Sequence, residues 1–89
     1  MKAVVTVVGK DAVGIIANVC TELASYNVNV MDISQTVMQG YFTMMMVVDV
    51  TGATEPLAAL AQKLEEKGKE MNLSIRLQRE DIFEAMHRV

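Results

Sequence analysis

Eighty-nine residues set a single-domain scale, at which a chain buries only roughly 60–65% of the surface its unfolded form exposes. Eight basic residues scattered among eleven acidic ones, for a net charge of −3, form no basic stripe and exclude direct nucleic-acid binding. No apolar stretch nears the roughly 20 residues of a membrane span, and a lone cysteine, Cys20, excludes a disulfide framework or a cysteine metal pair.

Hydrophobic residues make up 52% of the chain, eight of them Met, so part of the apolar surface is expected to become a contact surface between copies. Lys2 leads straight into a Val-rich run with no small-residue cleavage site, which reads as no signal peptide and a reduced, cytoplasmic protein.

The first element is the β-branched run Ala3 to Val8, apolar on both faces and therefore expected as a central strand. Gly9 to Gly14 is a turn. Ile15, Ile16, Val19, Cys20, Leu23 and Tyr26 then recur at helical spacing, predicting a helix to about Ser25, which Asn27 ends in a left-handed conformation. Strict alternation follows, with Met31, Ile33, Gln35, Val37 and Gln39 on one face and Asp32, Ser34, Thr36 and Met38 on the other. Gly40 reverses the chain, so this strand forms a hairpin with a second long strand over Tyr41 to Val50. Thr51 to Ala53 is a loop, after which Thr54 is expected to cap a helix carrying Pro56 in its first turn. Leu57, Leu60, Ala61, Leu64 and Met71 mark its buried stripe and Asn72 its end. Ser74 to Arg79 alternates again with Ile75 and Leu77 inward, and a tail helix over Asp81 to His87 groups Ile82, Phe83 and Met86.

Strand, helix, strand, strand, helix, strand is the order of an α+β, ferredoxin-like βαββαβ sandwich. It has a four-stranded antiparallel sheet with two helices on one face, here with a short C-terminal helix added, and residues 1–89 form one domain. That fold serves unrelated functions, so residues must choose among them. RNA recognition would need stacking aromatics, and Ala3 to Val8 has none. Metal transfer would need a cysteine pair in the first loop. Acyl-phosphate hydrolysis would need a cation and an amide there, and Lys10 stands without an Arg or Asn beside it.

The first loop itself carries more. Gly9 and Gly14 bracket Asp11 just before a helix N-terminus, where free backbone N–H groups and the helix dipole suit a carboxylate while Asp11 suits an ammonium. The two charges together describe an amino acid. The same residues are also accounted for if Gly9 ends a strand, Asp11 caps the helix and Gly14 permits close packing.

The pattern Gly9-x-Asp11-x-x-Gly14-Ile15, a helix, and then Asn27-Val28-Asn29-Val30-x-Asp32-Ile33 resembles the ACT domain, the amino-acid-sensing module of many metabolic enzymes. The likeness runs through essentially the whole chain, including the Ile82-Phe83-Glu84-Ala85-Met86 tail. The stretches Thr6-Val7-Val8-Gly9-Lys10-Asp11, Asp32-Ile33-Ser34-Gln35-Thr36-Val37 and Tyr41-Phe42-Thr43-Met44-Met45 are more specific. They resemble the small stand-alone ACT proteins of the UPF0237 family, which are similar to the glycine cleavage system transcriptional repressor.

The resemblance implies two subunits side by side, sheets and helices joined across a two-fold axis, with ligand at their interface between the first loop and the start of the second strand. By position Gly9, Asp11, Gly14 and Ile15 would line one side, with Asn29 and backbone groups of Val30 on the other. Ala12-Val13 replaces the Arg-Pro of many relatives, and Asp11 stands where serine-sensing members have Asn, which leaves the ligand's identity open.

Other reactive-looking residues have structural readings. Met44, Met45 and Met46 on consecutive strand positions point alternately to opposite faces and cannot converge on copper, so they are core and interface filler, with Met45 and Val47 marking a second covered surface. Cys20 and His87 are too far apart in the chain's organisation for a Cys-His nucleophile, and Ser34 and Thr36 would need the same His87. Lys63 to Glu70 is a solvated helix face, in which Lys63–Glu66 and Glu66–Lys69 attraction offsets like-charge pairs.

The expectation is therefore a stand-alone ACT regulatory domain. It is a homodimer binding a small polar metabolite of the amino-acid class and passing that state to a regulated protein partner. It has no catalytic residues, metal, cofactor or membrane contact, and it is not an enzyme. The alternatives are a ligand-free structural or interaction module and, behind it, a small acyl-phosphate hydrolase.

Overall fold

The computed structural model describes residues 1–10 and 14–81. The elements are β1 (Lys2–Gly9), α1 (Ile15–Ser25), β2 (Asn29–Met38), β3 (Tyr41–Asp49), α2 (Leu57–Glu70) and β4 (Ser74–Arg79). All strand pairings are antiparallel, in the order β2-β3-β1-β4. β1 is central, as its two-sided apolar run requires: Ala3, Val5 and Val7 join the core under the helices, and Val4 is buried on the opposite face. The register sets Val5 against Met46 and Val7 against Met44. Those side chains meet Ile15, Val19 and Leu23 of α1 and Leu60 and Leu64 of α2, so both helices cover the same face of the sheet. Each such fully buried Leu or Met contributes about 1.5–3 kcal/mol of transfer free energy. The expected C-terminal helix falls almost wholly outside the described residues. Asp81, the last of them, receives a two-pronged ion pair from Arg79 at 2.6 and 3.1 Å.

Both helices end the same way. In α1 the N–H of Val28 donates to the carbonyl of Leu23 at 3.0 Å and that of Asn27 to Ala24 at 2.9 Å, with Asn27 at φ 59°. In α2 the N–H of Leu73 donates to Gly68 at 2.7 Å and that of Asn72 to Lys69 at 3.3 Å, with Asn72 at φ 61°. This is the Schellman closure, with Asn in the place glycine usually takes, because its short polar side chain tolerates the left-handed region.

Two local expectations need correction. α2 begins at Leu57 with Pro56 as its N-cap and no side-chain cap, so Thr54 is not the capping residue. The fixed φ of proline organises that start instead. On the charged face Lys63 reaches back to Glu55 at 2.6 Å and keeps only a weaker attraction to Glu66, and Lys69 lies 4.0 Å from Glu65 rather than pairing with Glu66. Glu66 accepts from Gln62 at 3.4 Å.

The β2–β3 hairpin closes through Gln39 at φ 51° and Gly40 at φ 82°, the doubly left-handed turn that matches strand twist. At the other end of β2 the register slips between Val30 and Asp32, leaving Met31 as a bulge. The bulge resets the alternation: Val30 pairs with Val48 and Ile33 with Met46, so both point to the helix side.

Two outcomes follow from this packing. A Cβ on Gly68 would stand 2.9 Å from the Leu73 carbonyl oxygen and 3.0 Å from Ile75 Cγ1. Gly68→Ala is therefore expected to cost about 1–2 kcal/mol in urea unfolding, even though alanine is the better helix former. Asp49 accepts from the Thr51 hydroxyl at 2.6 Å and the Thr51 N–H at 2.9 Å, and these bonds hold its carboxyl below the ordinary 3.8. The stability they confer is fully present above that value and is lost as pH falls through the lower folded-state pKa. Asp49→Asn should consequently lose less stability than the parent when unfolding is compared at neutral and strongly acid pH.

Candidate functional site

The ends of β1, α2 and the hairpin converge where the first loop leaves the sheet, and there they enclose an open cleft of about 730 Å³. Its floor is apolar. Ile15 enters from the first turn of α1, and the Schellman closure of α2 delivers Met71 and Leu73. Gly9 lets that floor form, since a Cβ on it would lie 2.2 Å from Leu73 Cδ2. The rim is polar, with Asn18 and Asn72 exposed and the Lys10 ammonium 5.9 Å from the centre of the Tyr41 ring. That cation–π contact holds an exposed positive charge at the mouth.

The entry to α1 is shaped by Gly14. It is the N-cap at φ 75°, with no side chain to offer, and its carbonyl accepts from Asn18 at 3.0 Å. No acidic residue lies in the first turn. The leading N–H groups of α1 thus receive nothing from the cap residue and sit at the positive end of the helix dipole.

Of the residues singled out in the sequence, Gly9 and Ile15 line this cleft and Gly14 adjoins it through Asn18, 3.6 Å from where its Cβ would be. Asp11 lies outside the described residues. Asn29 and Val30 are at the far end: Gly9 pairs with Phe42, whereas Asn29 pairs with Asp49, which also faces Lys2. Seven strand steps separate the two ends, roughly 24 Å at the usual rise per residue. One chain does not bring its own two halves of the expected site together.

Sequence reasoning missed Asn18, Tyr41, Asn72 and Leu73. Asn18 is legible as the residue one helical turn from Gly14, on the same end of α1; the others depend on which loops meet at this end of the sheet. Met44 and Met46 are fully buried while Met45 is 36% exposed on the other face, so the run is split as strand alternation demands. Cys20 is half-buried and unpaired. Among the described residues no group of three or more His, Cys, Asp or Glu could hold a metal, and no helix is long and apolar enough to cross a membrane.

The sheet order and the two helices define a small ferredoxin-like α+β module with a cleft at its first-loop end, and comparison with known proteins gives its family. Residues 2–78 match the ACT domain family. A UPF0237 protein of Bifidobacterium longum is 54% identical over 88 residues, covering 99% of this chain and 98% of that protein. One from Listeria innocua is 49% identical over 89 residues, with both chains covered completely. An ACT domain protein from Streptococcus pneumoniae superposes with a TM-score of 0.84 at 45% identity, covering 98% of each chain. The chain belongs to the ACT domain family, among its UPF0237 proteins.

Gly14 offers a direct check on the loop geometry. At φ 75° a Cβ is strained whatever the surrounding space, so Gly14→Ala should lower the unfolding free energy by about 1–2 kcal/mol in denaturant titration.

Proposed function

We propose that this chain is a stand-alone, single-domain regulatory subunit that pairs with a second copy along β2 and holds a small polar metabolite of the amino-acid class between the two. One observation carries the reading. On the helix side of the sheet Met44 and Met46 are fully buried, yet Ile33 and Val37, which share that face on β2, are 41% and 68% exposed, and bulged Met31 is 51% exposed. An apolar row on an edge strand is an association surface that soluble monomers avoid.

The pairing also accounts for the divided site. Two β2 strands set antiparallel about a two-fold axis lay the partner's Asn29 beside Met38 of this chain, at the end where the first loop and cleft lie. Gly9, Gly14 and Ile15 of one subunit then face the partner's Asn29 and Val30, and Asp11 is assigned to the same site from its position in the sequence motif. The α1 N-terminus suits the ligand's carboxylate and Asp11 its ammonium. Ligand bound across the interface strengthens the pair by linkage, and a regulated protein partner reads that change. Binding alone accomplishes this, so the protein needs no catalytic group and is not an enzyme. With Cys20 unpaired, the reading places it in the reducing cytoplasm.

Sedimentation should give a dimer for the parent chain and a folded monomer for Ile33→Lys combined with Val37→Lys. A thermal-shift screen against the twenty amino acids should find a selective stabiliser, worth about 2.7 kcal/mol per site at 100 times its dissociation constant. Asp11→Ala should remove that response and leave the dimer. A dimer indifferent to every amino acid would support the ligand-free interaction module instead. A parent chain that sediments as a monomer would contradict the pairing itself.

A further inference from the structure

The free edge of β2 carries a carboxylate beside two hydroxyls. Asp32 Oδ1 accepts from the outward N–H of Ile33 at 2.9 Å, and Asp32 takes part in no ion pair among the described residues. Asp32, Ser34 and Thr36 stand opposite Val47, Met45 and Thr43 of β3, so all three project from the sheet face away from the helices. Asp32 and Ser34 share a shallow recess there with Val4, Met45 and Val47. All three polar residues are exposed, and neither the Ser34 nor the Thr36 hydroxyl is bonded among the described residues. The edge is thus guarded at Ile33 and unsatisfied just beyond it.

Resting on the β2–β2 pairing proposed above, we infer that Asp32 makes this edge select its own copy. Its carboxylate leaves the Ile33 N–H when two subunits pair and accepts instead from the hydroxyl of the partner's Ser34 or Thr36. Ile33 points its N–H outward, so from there on the paired strands exchange main-chain bonds at odd-numbered positions and set even-numbered ones opposite one another. In the two such registers nearest to the one that lays Asn29 beside the partner's Met38, Asp32 lies opposite the partner's Ser34 or Thr36. These are non-hydrogen-bonded pairs, with Cα atoms about 4.5 Å apart and side chains at their closest, within reach of a hydroxyl-to-carboxylate bond. A carbonyl of the partner takes the Ile33 N–H that Asp32 gives up. The two-fold axis makes two such clasps, and each bond broken in opening the edge is replaced. A foreign strand with no hydroxyl at that place displaces the carboxylate and leaves it unanswered.

The test is a double-mutant cycle on the dimer dissociation constant of the full-length chain, read by sedimentation equilibrium. Its corners are the parent, Asp32→Ala, Ser34→Ala with Thr36→Val, and all three changes together. Each change replaces an exposed side chain, so the subunit stays folded. Removing the hydroxyls should weaken the parent dimer about tenfold, a modest share from each of the two clasps. In the Asp32→Ala background the same removal should change the constant by no more than about twofold, because its acceptor is already gone. An equal loss in both backgrounds, or no loss in the parent, would overturn the clasp and leave the pairing standing. Sedimentation of the parent and every variant as monomers would overturn the clasp and the pairing together.

Discussion

β2 hydrogen-bonds to β3 on one side and forms the edge of the sheet on the other, and the proposed pairing of two copies depends on that edge. Its helix-side residues continue the row that Met44 and Met46 begin, but α1 does not reach far enough to bury them. The N–H of Ile33 is turned away from β3 and donates to its neighbour Asp32 Oδ1 at 2.9 Å. A charged side chain folded onto the edge is the kind of guard that open strands carry against indiscriminate pairing. An edge both apolar on one face and selectively guarded fits a specific, self-complementary partner better than solvent.

The cleft depends on a different constraint, the closure of α2. Leu73 is placed by the bond from its N–H to Gly68, and Gly68 itself must lack a Cβ because that same carbonyl-bearing turn and Ile75 pack against it. Gly9 completes the fit from the strand side. Two glycines far apart in sequence thus make room for one residue, Gly9 for its side chain and Gly68 for its carbonyl. Their shared contact turns the end of a common sandwich into a pocket with an apolar floor, while Lys10 and Tyr41 supply the rim. Fold and pocket are set by the same few close approaches.

Much of this was legible beforehand. The boundaries of α1 and β4, the central place of β1, the hairpin at Gln39-Gly40 and the stops at Asn27 and Asn72 all follow from local signals: β-branched runs, helical spacing, and residues that tolerate positive φ. Thr54 misled because a capping residue competes with the proline two positions on, and the fixed φ of Pro56 wins. The ion pairs misled because side-chain reach across a turn, Lys63 to Glu55, is not encoded in helical spacing. The site was legible only in halves. Gly9, Gly14 and Ile15 announce themselves by the loop, but their distance from Asn29 and Val30 is a property of strand register, which no single stretch of sequence states. Asn18, Tyr41, Asn72 and Leu73 came together only through tertiary contact.

Amide hydrogen exchange along β2 tests the central claim, that the edge is completed by a second copy. Since Ile33 points its N–H outward, alternation turns those of Gln35 and Val37 the same way. In a β2–β2 pair these two amides should exchange as slowly as those of β1, deep in the sheet. Exchange at Gln35 and Val37 near the rate of a free strand, beside slow neighbours bonded to β3, would contradict the account.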